Sequence, residues 1–291
     1  MTGRVLVAGG TGRLGTLVVR GLAGRQLDVR VMTRDLQRAA HLAGDHVEVV
    51  LGDVRDPASA AAAVAGVDVV VSAVHGFAGP GGVAPSSVDR DGNIHLIEAA
   101  RAAGADMVLM SIVGAAPDSP FELFRMKQAA EAALAASAVP TTIVRATAFV
   151  ELWIELLRRT AGRSNRPLVF GRGQNPINFV SVRDVGALVE RAVTNATTRG
   201  RTLEIGGPDN LTLNQLARLV SATRGGPRKP RHVPRTALHV MAATAGRVRP
   251  ELGRQARAAL AMDQHDMTFD GGSARVRFPE LPCTSAAELL R

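Results

Sequence analysis

Three polar side chains stand where a protein could exchange a proton with a small molecule. Ser111 closes a predicted buried strand, Lys127 lies on a predicted helix, and His75 follows another strand on a loop. A hydroxyl, an ammonium and an imidazole can all act in acid–base catalysis. We therefore predict Ser111, Lys127 and His75 as catalytic residues. The structural alternatives are a serine that bonds the backbone, a solvated helix lysine and a bystander loop histidine.

No metal is predicted to take part in this chemistry. The single cysteine, Cys283, excludes a multi-cysteine metal site and an internal disulfide. The other histidines lie at no spacing typical of metal ligands. Acyl transfer is also disfavoured, because the chain lacks the Gly-x-Ser-x-Gly turn that exposes a nucleophilic serine.

A glycine-rich turn close to the N-terminus predicts a dinucleotide site. The run VLVAGGTGRLG, residues 5–15, joins a short apolar strand to a helical pattern. Gly9 suits a tight turn, Gly12 lets the backbone approach a pyrophosphate, and Gly15 permits close packing of helix on strand. The helix N-terminus adds free N–H groups for the phosphates. An ordinary strand-to-helix turn is the alternative. The predicted cofactor contacts in this turn are Gly9, Thr11, Gly12, Arg13, Leu14 and Gly15.

The end of the second predicted strand indicates which dinucleotide is bound. An arginine there suits the 2′-phosphate of NADP, and a carboxylate suits the ribose hydroxyl of NAD. Arg34 comes first, Asp35 follows it, and Arg13 could add a second positive charge. We therefore predict NADP(H) as the preferred cofactor, with NAD(H) as the alternative. Asp53, interpreted as a free carboxylate, is expected to accept a hydrogen bond from the adenine amino group. The further predicted contacts are Val54, Ala73, Val74 and Lys127.

Alternating strand and helix patterns predict the elements that hold these residues. An α/β, doubly wound parallel sheet follows from this alternation. Asp56-Pro57 predicts a helix start, and capping boxes are expected at Ser119–Glu122, Ser181–Asp184 and Thr212–Gln215. The predicted strands are Arg4–Ala8, Asp28–Thr33, Val47–Leu51, Val67–Val74, Met107–Ile112 and Thr141–Arg145.

The strict alternation fades after Arg145, which predicts two lobes. A Rossmann domain is expected over residues 1–148, with a return segment at about 177–206. A smaller C-terminal α/β lobe, residues 149–176 and 207–291, would bind the substrate. The loop Gly76–Pro85 is expected to form a mobile rim of the substrate cleft.

Composition limits the partners of this 291-residue chain. The net charge is +9, and the stretch Arg224–Arg257 holds nine basic residues against one acid. That stretch lacks an aromatic residue for base stacking, so nucleic-acid binding is disfavoured relative to a solvated basic face. Long apolar runs are interrupted by charge, which disfavours a membrane partner. We expect a cytoplasmic protein with a small-molecule substrate, and no sequence feature indicates its oligomeric state.

Short motifs in a fixed order resemble one known family. They run from residue 4 to about 220 and comprise residues 9–15, 52–54, 72–76, 96–100, 110–114, Lys127 with Glu131, 142–145 with Phe149, 178–184, 206–208 and 211–212. The chain resembles the NmrA-like members of the atypical short-chain dehydrogenase/reductase superfamily. The resemblance implies a Rossmann fold, a nicotinamide cofactor, and a serine and Tyr-x-x-x-Lys pair for proton transfer. Ser111 and Lys127 match that pattern.

Two positions depart from the pattern that the resemblance implies. Leu123 occupies the tyrosine position, and the chain contains no tyrosine at all. Asp89 stands where an asparagine is usual. A leucine cannot donate a proton, so tyrosine-dependent ketone reduction is excluded. The leading hypothesis is a reductase of a small hydrophobic carbonyl, enone or quinone, protonated by Lys127, His75 or water. The alternatives are a catalytically silent NADP(H) sensor and, less favoured, a sugar epimerase or dehydratase.

Overall fold

The computed structural model describes residues 3–77, 83–245 and 249–291. The chain forms two compact units, one comprising Met1–Ala146 with Arg183–Glu204 and the other Thr147–Val182 with Ile205–Arg291. The segment that returns to the first unit is therefore shorter than the predicted 177–206. Residues 177–180 lie on a strand, Pro176–Val180, whose hydrogen-bonded neighbours belong to the second unit.

A seven-stranded sheet forms the centre of the first unit. Its order is β10-β6-β5-β4-β1-β2-β3, and the pairs from β6 through to β3 are parallel. The order reverses beside β1, as in a doubly wound Rossmann fold, so the predicted fold class is confirmed. The strands are β1 Arg4–Ala8, β2 Asp28–Thr33, β3 Val47–Leu51, β4 Val69–Ser72, β5 Asp106–Ile112, β6 Thr141–Ala146 and β10 Arg201–Ile205.

The helices of the first unit bury one apolar face each. In α1, Leu14, Val18 and Leu22 are buried at intervals of four residues, which places them on one side of the helix. Asp56 caps α3 by accepting a hydrogen bond from the Ala58 amide, as predicted. The helices are α1 Arg13–Gly24, α2 Leu36–Ala39, α3 Pro57–Val64, α4 Asn93–Ala103, α5 Glu122–Ala136 and α7 Val182–Thr194, and a π-helical turn, Pro85–Gly92, precedes α4.

The helix that carries Lys127 begins later than its sequence suggests. The predicted capping box at Ser119 is wrong, because α5 starts at Glu122 with Phe121 at its N-cap. Ser119 instead accepts a hydrogen bond from the Phe121 amide in the preceding turn. Thr212 and Gln215 do form the predicted capping box, at the start of the helix Leu213–Ala222.

The second unit has two small sheets and its own apolar core. Strand β9 pairs antiparallel with β11 and parallel with β7, while β12 pairs parallel with β8. Side chains from α6 and α8, including Ile154, Leu157 and Leu216, pack with Phe179 of β9. The elements are β7 Ala148–Phe149, α6 Val150–Ala161, β8 Leu168–Phe170, β9 Pro176–Val180, β11 Asp209–Thr212, α8 Leu213–Ala222, β12 Arg231–Val233, α9 Arg235–Val240, α10 Pro250–Met262 and α11 Ser273–Arg277.

Several of the basic side chains in 224–257 have intramolecular partners. Arg231 donates to the carbonyl oxygen of Thr160, and Arg235 lies 3.5 Å from the Asp263 carboxylate. Arg247 lies outside the described residues, as do residues 78–82 of the predicted rim loop. Within the described part of the chain, no helix combines the length and apolarity needed to cross a bilayer.

Candidate active site

The glycine turn between β1 and α1 has no room for side chains at Gly9 and Gly15. Gly9 has a φ of +85°, and a Cβ there would lie 2.6 Å from the Ala73 carbonyl oxygen. At Gly15 a Cβ would lie 2.2 Å from the Gly9 oxygen. At Gly12, by contrast, a Cβ would meet only that same oxygen, at 3.2 Å. The turn is therefore compact on its inner side and open at Gly12, where α1 begins.

The adjacent strand end, at β4, is in contact with this turn. Ala8 of β1 pairs with Ser72 of β4, so Ala73 and Val74 follow at the same edge of the sheet. The Ala73 amide donates to the Ala8 oxygen at 2.9 Å. Ligands of open parallel sheets bind outside the carboxyl ends of the strands, beside the point where strand order reverses. The glycine turn and the residues after β4 occupy that position.

Asp35 and Arg34 follow β2 with different roles. The Asp35 carboxylate accepts hydrogen bonds from the amides of Gln37 and Arg38 and so caps α2. Arg34 is exposed. The Asp35 carboxylate therefore caps its own helix, and both Arg34 and Asp35 are exposed at this strand end.

The prediction of a free Asp53 carboxylate is wrong. Both carboxylate oxygens accept hydrogen bonds from the Arg55 guanidinium, at 2.6–3.1 Å, and one also accepts from the Arg55 amide. These hydrogen bonds from Arg55 outweigh partial burial and lower the pKa of Asp53. The sequence signal for this pairing is the arginine two residues after Asp53, because a guanidinium at that distance can reach the carboxylate in a turn. Asp53 therefore holds the loop after β3.

Lys127 is buried and has three protein partners. Its side chain comes from α5, and its Nζ donates to the carbonyl oxygens of Val74 at 3.1 Å and Met110 at 3.0 Å. The same Nζ lies 3.0 Å from Oδ1 of Asp89. Two of the three N–H donors are therefore hydrogen-bonded to backbone carbonyls, and the contact with Asp89 is an ion pair, because Oδ1 has no hydrogen-bond partner among the described residues. Lys127 is thus fixed between the ends of β4 and β5 rather than solvated.

Asp89 is the buried partner of Lys127. It lies on the π-helical turn before α4 and is 0% exposed. Its Oδ2 accepts a hydrogen bond from the Gly76 amide at 2.8 Å, and its Oδ1 lies 3.6 Å from Nδ1 of His75. Burial opposes ionisation, but the Lys127 ammonium and His75 outweigh it and lower the pKa of Asp89. The site therefore contains an ionised carboxylate with no exposure to solvent.

His75 and Ser111 lie at the same edge and differ in their surroundings. The His75 side chain is 50% exposed, and its ring stacks beside Phe77 with centroids 6.2 Å apart. Ser111 is 7% exposed, and its hydroxyl has no hydrogen-bond partner among the described residues. A buried hydroxyl without a partner carries an energetic cost that a bound polar group could relieve.

Leu123 lies one turn before Lys127 on α5 and is half-buried. The following residue, Phe124, is buried and stacks on Phe121 with ring centroids 4.7 Å apart. The position that the resemblance assigns to a tyrosine is thus apolar and has an aromatic pair beside it.

The family model for the NmrA-like family matches residues 1–257. The chain belongs to the NmrA-like family. Its sequence is 30% identical over 226 residues to an NAD(P)H azoreductase from Xenophilus azovorans, covering 77% of this chain and 74% of that protein. It is 28% identical over 245 residues to a photosystem II assembly factor from Synechocystis sp., covering 82% and 73%.

A solved structure with the same fold is the Citrobacter sp. triphenylmethane reductase complexed with NADP(H). The TM-score is 0.78, with 21% sequence identity, and the match covers 99% of this chain and 98% of that one. The likeness extends over both units of this NmrA-like chain and shows a shared fold.

Proposed function

We propose that this NmrA-like protein is an NADP(H)-dependent reductase of a small hydrophobic carbonyl, enone or quinone that works without a catalytic tyrosine. The proposal rests on two groups of residues that lie at the same edge of the seven-stranded sheet. A glycine turn open at Gly12 lies beside β4, and the buried Lys127–Asp89 pair, His75 and the unpartnered Ser111 hydroxyl follow β4 and β5. The glycine turn suits a dinucleotide, and the polar side chains suit the reacting group of a substrate.

The residues of the first unit fit a dinucleotide. The open backbone at Gly12 and the amides that start α1 suit a pyrophosphate, which is stabilised by the positive end of the helix. The predicted contacts at Thr11, Leu14, Val54, Ala73 and Val74 complete this site. The bound reduced cofactor would supply a hydride.

The charges after β2 favour NADP(H) over NAD(H). Arg34 is exposed, and Arg13 is exposed at the start of α1. The Asp35 carboxylate, which would repel a 2′-phosphate, is oriented toward the amides of Gln37 and Arg38 by its capping hydrogen bonds. Guanidinium groups bind phosphate strongly through paired hydrogen bonds. The azoreductase relative is named for NAD(P)H, which covers both NADPH and NADH, so NAD(H) is the second choice.

The missing phenol restricts the substrate class. Leu123 can supply apolar contact and no proton. A ketone needs strong acid assistance when it accepts a hydride, whereas a quinone, an enone or an azo compound is activated by conjugation. The half-buried Leu123, followed by the stacked Phe124, suits a hydrophobic acceptor of this kind.

NADPH oxidation over a panel of quinones, enones and azo dyes tests the proposal. We expect turnover with at least one acceptor and about a tenfold lower kcat/KM for Ser111→Ala, the loss of roughly one hydrogen bond in the transition state. Ser137→Ala is the matched control, because the Ser137 hydroxyl bonds to Leu134 at the far end of α5. No oxidation with any acceptor would refute the proposal.

A catalytically silent NADP(H) sensor is the second candidate. Two observations favour it: the tyrosine position is leucine, and Lys127 is buried with two N–H groups hydrogen-bonded to backbone oxygens and its ammonium ion-paired with Asp89. One relative carries the name of an assembly factor rather than that of an enzyme. Tight NADPH binding, measured by calorimetry, together with no turnover on the panel would select the sensor.

A further inference from the structure

The loop after β4 is fixed on both sides of His75 by a single buried ion pair. The residue before it, Val74, accepts a hydrogen bond from Lys127 through its carbonyl oxygen at 3.1 Å. The residue after it, Gly76, donates its amide to Asp89 at 2.8 Å. Lys127 and Asp89 lie 3.0 Å apart, so they clamp the backbone that carries the imidazole.

We propose that His75, held against Asp89, is the proton donor that takes the place of the missing tyrosine, and that Lys127 and Asp89 are positioning residues. This inference rests on the proposed reductase function and assigns separate roles within its site. The His75 Nδ1 faces Asp89 at 3.6 Å, so Nε2 is on the opposite side of the ring. Nε2 is therefore the atom available to a substrate.

Lys127 is a poor candidate for the donor because it is buried and held by protein partners. Two of its N–H groups are hydrogen-bonded to backbone oxygens, its ammonium is ion-paired with Asp89, and the residue is 5% exposed. Proton transfer from this buried ammonium would also leave the Asp89 carboxylate without its cation, which is costly in a buried site. His75 has neither restriction, since half of its side chain is exposed and solvent can return its proton.

The Asp89 carboxylate lies 3.6 Å from Nδ1 of His75 and fixes the orientation of the ring. The charged and titratable groups that act on Asp89 are Lys127, from α5, and His75 itself. The lowered pKa of Asp89 keeps this carboxylate negative across the working pH range.

The proton balance differs between two classes of acceptor. Reduction of an enone adds a hydride to carbon, and the displaced π electrons form a bond to a proton that His75 supplies from Nε2. Water then reprotonates the imidazole. A cationic triphenylmethane dye accepts the hydride at its central carbon and becomes neutral, so no proton is consumed. The inference therefore applies to the first class of acceptor only.

The experiment compares both acceptors in the full-length protein and in His75→Gln. General acid catalysis contributes about 10²-fold or more, so we expect His75→Gln to lower kcat/KM for an enone about 100-fold. We expect less than a twofold change for the cationic dye. His46→Gln is the matched control, because His46 also lies beside an aspartate, Asp28, at 3.3 Å, but outside the site. In His75→Ala, added imidazole should restore enone reduction, which distinguishes a chemical role from a structural one.

The outcomes separate the two proposals. Equal losses with both acceptors, an enone loss below threefold, or no rescue by imidazole would overturn the role of His75 and leave the reductase function standing. A wild-type protein that oxidises NADPH with neither of these acceptors and with no member of the quinone, enone and azo-dye panel would overturn the reductase function and the role of His75 together.

Discussion

Replacing Lys127 by methionine tests how strongly the buried ion pair stabilises the first unit. Methionine keeps most of the apolar stem and removes the ammonium that lies 3.0 Å from Asp89. Asp89 is 0% exposed, so its carboxylate would be left buried beside His75 alone. Breaking a buried pair in this way costs about 3–5 kcal/mol. At about 2–4 °C per kcal/mol for a domain of this size, Tm should fall by about 10 °C.

The loss should depend on pH. In the wild-type protein the pKa of Asp89 is lowered, so the carboxylate stabilises the fold above its unfolded pKa, and this contribution is lost as pH falls through the folded pKa. Without Lys127, burial dominates and favours the neutral acid. We therefore expect the penalty of Lys127→Met to be smaller at pH 5 than at pH 7.5, because Asp89 can take up a proton when the variant folds.

Urea unfolding followed by circular dichroism at both pH values measures the loss. The single tryptophan, Trp153, belongs to the second unit, so its fluorescence reports separately on that unit. Arg90→Met is the matched control, since Arg90 forms an ion pair with Asp91 in which both side chains are 41% exposed. Exposed pairs contribute less than about 1 kcal/mol. A loss below 1 kcal/mol at pH 7.5, or the same loss at both pH values, would refute the buried pair.

Two further changes test the cofactor site by calorimetry. Gly12→Ala should leave the fold intact, because the new Cβ meets only the Gly9 oxygen at 3.2 Å, yet it should weaken NADPH binding at least tenfold by blocking approach to the backbone. Unchanged NADPH affinity would contradict this use of the turn. Arg34→Ala should raise the Kd of NADPH about tenfold and that of NADH less than twofold, with the exposed Arg38→Ala as control. Equal weakening for both cofactors would rule out a 2′-phosphate contact.

The sheet could be predicted because its strands carry a local signal. Buried parallel strands are short β-branched runs, and five of the six predicted strands match the structure to within one residue at either end. The exception, Val67–Val74, was predicted too long because apolar residues continue beyond the hydrogen-bonded part, Val69–Ser72. The start of α5 was also missed, since Ser119 has a capping sequence but its hydroxyl serves a preceding turn.

The glycine turn and the residues after β4 could also be assigned from sequence, because the order of parallel strands brings them to one edge of the sheet. The ion pair between Lys127 and Asp89 could not be predicted from sequence. Asp89 and Lys127 are separated by a helix and a strand, and no spacing rule relates a residue on a π-helical turn to one on α5. Asp89 was recognised only as a departure from the expected asparagine, which gave no indication of its partner.

The two departures from the family pattern are connected by this ion pair. The family pattern, a Tyr-x-x-x-Lys pair, implies a lysine that binds the cofactor ribose. Such a lysine needs N–H groups that are free of protein partners. Here Leu123 removes the phenol and Asp89 supplies a carboxylate, so the same ammonium is drawn into a buried pair with two backbone oxygens. One consequence is structural, because the pair fixes the residues on both sides of His75. The other is chemical, since the carboxylate faces an imidazole that reaches solvent. In the mechanism that we propose, the proton source therefore lies on the loop after β4 rather than on α5.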